Sequence, residues 1–167
     1  MSASKANVTF TELLEANERE TRKWQGWFER QPALLDLPLD IAEAKNVREL
    51  LLHIFAVEMR YAERLLGLPV TPWDWYAAAS QVEPFAIGEK ARGLLREYVA
   101  NATDAELAST QEFPTRTAGV LHASQRKMFI HAMLHGLRHW SQLATALREK
   151  RHGTDWPHDF LFSEVME

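Results

Sequence analysis

No cysteine occurs anywhere in the 167 residues. That absence excludes disulfides, thiolate metal ligands and a cysteine nucleophile, so a metal would have to be held by histidine or carboxylate, and thiol chemistry would need a thiol from outside. Positive charge is also scarce: Lys and Arg number 19 against 23 Asp and Glu, a formal charge of −4, and no basic run or stripe is present. Nucleic acid is disfavoured as a partner on that ground. No segment approaches the roughly 18 consecutive apolar residues of a membrane span. The leading residues, Met1 to Asn7, are polar and carry no signal-peptide apolar stretch, so the expectation is a cytoplasmic protein without a membrane partner. Alternating β-branched patterns, internal repeats and low-complexity tracts are missing too.

What is present is apolar and helical in period. Hydrophobic residues make up 46% of the chain, with six Trp and eight Phe, and only 25% is charged, enough to bury a core that offsets the entropy of ordering. The length suits one domain over residues 1–167. Phe10, Leu13, Leu14, Asn17, Thr21, Trp24 and Phe28 recur at spacings of three and four and predict a first helix over about 9–30. Pro32 and Pro38 then hold a loop. Asn46 to Glu49 reads as a capping box opening a second helix that Gly67 stops near Leu66. A third helix is predicted over Pro84 to Asn101, with a short turn after Thr103. The stretch Gln111 to His122 reads as a linker. Ser124 caps a long last helix to about Arg151, and the aromatic tail beyond it reads as docked on the bundle. The fold class is all-α.

Four of the seven histidines fall on two of these helices. His131, His135 and His139 stand four apart on the last one, and that spacing stacks imidazoles on one face, one turn apart, where two can reach a single ion. On a helical wheel each step of four turns the side chain by roughly 40°, so the three march toward the apolar arc of Phe129, Met133, Leu137, Trp140 and Leu143. His139 is then deepest, and His131 lies on a solvated side with Arg138. The metal is accordingly assigned to His135 and His139, joined by His53 from the second helix. Three imidazoles leave coordination positions open, as in a catalytic site. Glu58 falls inside the apolar arc of the second helix, where an ionised carboxylate needs a cation or an imidazole partner unless the helix turns it out to water. A general base or a support for a ligand are both open roles. The segment from His135 to His139 lacks the glutamate of HExxH, so proteolysis has no support.

The run His135-Gly-Leu-Arg-His139-Trp-Ser-Gln142-Leu-Ala-Thr-Ala-Leu-Arg148 resembles the last-helix signature of the DinB superfamily. His53 within Leu51-Leu52-His53-Ile54-Phe55, the chain length and the helix order extend the likeness over most of the sequence. The resemblance implies a four-helix bundle with a long crossover connection and a divalent metal on His53, His135 and His139. Zinc or nickel head the candidates, with iron or manganese behind them. It also implies relatives that are thiol-dependent enzymes, among them bacillithiol transferases and a mycothiol-dependent maleylpyruvate isomerase. Where many relatives carry Arg-Gly-Gln after the last ligand, this chain has Trp140-Ser141-Gln142. The leading expectation is a metal-dependent transferase or isomerase that brings a small-molecule thiol, as metal-bound thiolate, to an electrophilic substrate. Trp140, Tyr61 and Gln142 would contact the substrate, with Trp73 and Trp75 as further walls. A hydrolase using metal-bound water with Glu58 as base, and a non-catalytic metal- or ligand-binding protein, are the rival readings. Related bundles and the many aromatic residues also suggest a homodimer.

Overall fold

The computed structural model describes residues 8–78, 83–115 and 118–165. Four long helices form the bundle: α1 (Phe10–Arg30), α2 (Val47–Leu65), α4 (Pro84–Asn101) and α6 (Gln125–Glu149), with short helices α3 (Trp73–Ala78) and α5 (Asp104–Ala108) between them. Their starts follow from local chemistry. Thr9 closes a full capping box with Glu12, and Ser124 accepts from the Lys127 amide to open α6. At Asn46 the cap differs from the expected reciprocal box: the Asn46 side chain accepts from the Glu49 amide, but Glu49 reaches back to the Lys45 amide at 2.8 Å. Gly67, at a φ of +67°, takes the left-handed position that ends α2.

Helices α1 and α2 each pack against both α4 and α6, so α1 lies diagonal to α2 and α4 diagonal to α6. The two diagonal connections contain more structure than the sequence suggested. Residues 31–46 fold into a 3-10 turn (Pro32–Asp36) and a small hairpin of β1 (Pro38–Ile41) and β2 (Ala44–Asn46). The stretch read as a linker pairs as a second hairpin, β3 (Thr110–Pro114) with β4 (Val120–Ser124). Among the described residues these two hairpins are separate two-stranded ribbons, so the architecture remains a helical bundle. None of the described helices is long and apolar enough to cross a membrane.

Two apolar clusters fill the bundle. One gathers Trp24, Phe28, Leu50, Ile54, Phe55 and Trp140, and the other Leu14, Ala62, Leu95, Phe129 and Met133. Between them each long helix places something polar or small: Asn17 and Thr21 on α1, Glu58 on α2, Arg92 on α4, and Gly136 on α6. Glu58 has no exposed surface and pairs with the buried Arg92 at 3.1 Å. A Cβ on Gly136 would stand 3.1 Å from Glu58 Oε1 and 3.2 Å from Asn17 Oδ1, so only glycine lets α6 approach this layer without displacement.

The tail is docked in part. Trp156 meets the Trp24 ring edge-on at 5.2 Å, and His158 stacks on Trp24 while its Nδ1 lies 2.6 Å from a Glu20 oxygen. Phe160, Leu161 and Phe162 stay exposed, Leu161 at 84%, which corrects the expectation that the whole aromatic tail packs on the bundle.

Candidate metal centre

The i, i+4 pair on α6 and the single histidine on α2 meet where these helices pack. His135 Nε2 lies 3.2 Å from His53 Nε2 and 3.2 Å from His139 Nε2. Among the described residues this is the one group of His, Asp and Glu side chains gathered tightly enough to hold a metal, its ligand atoms all within 4.8 Å of one another. Burial follows the wheel: His139 is 1% exposed and His135 9%, whereas His131 is exposed.

Two observations test whether this set fits a cation. Zinc–nitrogen bonds of about 2.0–2.1 Å in tetrahedral geometry place neighbouring nitrogens ~3.3 Å apart, close to the separations seen. The second is the tautomer of His139. Its Nδ1 faces Gln142 Oε1 at 2.7 Å, and an amide oxygen can only accept, so Nδ1 carries the proton and Nε2 presents its lone pair inward. The Arg138 guanidinium, 3.1 Å from that Nε2, donates to the same lone pair and would have to give up that bond for a cation to take it. The residues present therefore fit a divalent metal ion.

Charge at the site reinforces this. Burial, the neighbouring imidazoles and the Arg138 cation push the pKa of His135 down to about 2, and burial, His53 and Arg138 push that of His139 down to about 4. His53 is lowered as well, by burial and then by Arg138. Neutral imidazoles are the form that binds metal. These depressed values also fix a sign for stability. Below the ordinary value near 6.5 the unfolded chain takes up protons that the folded chain refuses, so the stability present above that pH is lost as pH falls toward about 4 for His139 and about 2 for His135. The melting temperature of metal-free protein should drop between pH 6.5 and 4 more steeply than that of a His135→Asn/His139→Asn variant. Parallel calorimetric profiles would contradict this assignment.

Two clefts reach the triad. One of about 650 Å³ is bordered by His53, Trp73 and Tyr76, and a smaller one of about 110 Å³ by His135, Tyr61 and His131. Trp73 forms a wall of both and stacks on the His53 ring at 6.2 Å.

The other residues singled out from the sequence have varied placements. Tyr61 lines the smaller cleft, its ring edge-on to His131 at 5.3 Å. Gln142 bonds the His139 imidazole and so sets the orientation of that ring. Trp140 faces the core: it is 1% exposed and stacks on Trp24 at 5.4 Å, which corrects its expected role as a pocket wall. Trp75 is 48% exposed and borders neither cleft that reaches the triad. Glu58 does not turn out to water, and among the described contacts it makes no hydrogen bond to any of the three imidazoles. Its carboxyl is pushed up by burial against the opposing pull of Arg92. Arg138, Arg60 and Arg64 were not singled out from the sequence, although Arg60 and Arg64 stand one turn apart on the helix that carries His53.

The chain is thus a helical bundle with three convergent histidines, on its second and last long helices, that could hold a metal ion. The chain belongs to the DinB family, whose model matches residues 1–158. None of the curated proteins matches it.

Proposed function

We propose that His53, His135 and His139 hold a divalent metal ion and that the protein is a thiol-dependent transferase acting on a small electrophile. The observation that carries the metal reading is the convergence of three Nε2 atoms with the His139 tautomer fixed by Gln142. A cation bound there would supply Lewis acidity, lowering the pKa of a thiol offered to it. The chain itself provides no thiol, so the nucleophile must come from solution. Trp73 and Tyr61 form the apolar walls against which thiol and electrophile would be oriented and water excluded. Family membership supports the same chemistry by analogy. Zinc and nickel suit three imidazoles and head the candidates, with iron and manganese behind them.

Metal-assisted hydrolysis is the rival. The version of it in which Glu58 acts as general base loses that carboxylate, which Arg92 holds in the bundle interior. The experiment is cobalt substitution followed by titration with low-molecular-weight thiols. A new sulfur-to-cobalt charge-transfer band is the expected result. An unchanged spectrum with every thiol tried would sink the transferase reading and leave hydrolysis or simple binding ahead.

A further inference from the structure

The small cleft beside His135 has an unusual charge. Arg60 and Arg64 both line it, one turn apart on α2, and neither pairs with a carboxylate among the described residues. Each is held in place by other means. The Arg60 guanidinium lies 4.7 Å from the centre of the Trp73 ring and donates to the Thr71 carbonyl. The Arg64 guanidinium lies 5.2 Å from the centre of the Phe113 ring on β3. The nearest carboxylate in sequence, Glu63, is engaged elsewhere, accepting from the Thr71 amide at 2.8 Å and its hydroxyl at 2.6 Å.

Two half-buried guanidiniums beside three neutral imidazoles make a cavity wall that favours an anion. A metal cation on the triad would add to that field. Arginine suits a planar oxyanion better than lysine does, because its fixed fork of donors matches a carboxylate in two places. The cleft is too small for a bulky ligand: about 110 Å³, against the roughly 300–1,000 Å³ of pockets that enclose drug-sized molecules. It suits one small functional group.

We propose that Arg60 and Arg64 form a carboxylate-recognition subsite, so that the molecule reaching the histidine triad carries a carboxylate that docks beside His135. This deepens the transferase reading by naming the charge of a reactant. The anion site itself can be tested without any metal.

The test follows the arginine Nε–H signals in proton–nitrogen correlation spectra of the full chain, metal-free and zinc-loaded, titrated with propionate and with the neutral isostere propionamide. Propionate should shift the Arg60 and Arg64 signals saturably, and propionamide should not. Affinity for propionate should fall at least tenfold in Arg64→Met and in Arg60→Met, and stay unchanged in Arg148→Met on the exposed side of α6. Arg64→Met leaves the Arg60 bond to Thr71 intact, so it remains decisive if Arg60→Met loosens the fold.

The source of the carboxylate is read on the cobalt-loaded protein by comparing 3-mercaptopropionate with 2-mercaptoethanol. Tighter binding of the former, lost in Arg64→Met, puts the carboxylate on the thiol. Equal binding of the two, with the propionate site intact, puts it on the electrophile. Equal response to propionate and propionamide, or propionate binding that survives both arginine variants, would overturn the subsite. Failure to load metal while propionate still binds would overturn the metal reading and leave the subsite standing.

Discussion

Replacing His53, His135 or His139 singly with Ala should weaken metal binding by more than the roughly 10–100-fold typical of losing an outer partner, because each removes one of three protein ligands. His131→Ala should leave stoichiometry intact, since its exposed ring lies 5.9 Å from that of His135 and belongs to no ligand group. Gln142→Ala should fall between these, at about 10–100-fold, because it frees the His139 tautomer without removing a nitrogen. The measurement is a metal titration of tag-free variants, each checked for helicity by circular dichroism. Binding that survives His139→Ala and collapses in His131→Ala would show that a different face of α6 holds the ion.

Arg92→Met should be among the most damaging substitutions away from the site. It leaves Glu58 with no exposed surface and no cation, and breaking a buried pair from one side typically costs about 3–5 kcal/mol. For a chain of this size that corresponds to a drop in melting temperature of roughly 6–20 °C. The double variant Glu58→Gln/Arg92→Met, which removes both charges, should recover a good part of the loss. Urea unfolding of the three proteins decides it: a single variant as stable as the double would mean that Glu58 is already neutral or hydrated in the fold.

The helical part of the architecture was legible because its signals are local. Caps at Asn46 and Ser124 mark where α2 and α6 begin, and a periodic apolar face shows which side of each is buried. On the last helix the wheel orders His131, His135 and His139 by depth, and the structure buries them in that order; that His53 meets them depends on how α2 packs on α6, which the sequence offered only through the family resemblance. The hairpins were hidden because their strands are only three to five residues long and because, although burial alternates along β3, just one of its two inward positions, Phe113, is apolar, the other being Gln111. Trp140 misled because adjacency in sequence is not adjacency on a helix: one residue past His139 the side chain has turned by about 100° and enters the core. Gln142 stands three residues beyond His139, on the same face, and its signal was present but read as substrate contact. For Glu58 the sequence placed the carboxylate within the apolar arc but left its turning out to water open, and only the packing of α2 on α4 shows that it stays inside and which cation meets it.

The polar layer across the middle of the bundle acts as a detent on helix sliding. Shifting α2 along α4 by one turn, about 5.4 Å, would preserve much of the greasy contact, because apolar side chains recur at that interval. It would also strand Glu58 and Arg92 against hydrocarbon, a far costlier state. Gly136 extends the detent to α6, since the close approach to Glu58 is open only where a side chain is missing. That glycine sits between His135 and His139, and Glu58 lies five residues beyond His53. The notch that stops α2 from slipping is therefore cut into the same two helices whose axial alignment decides whether three nitrogens converge or miss.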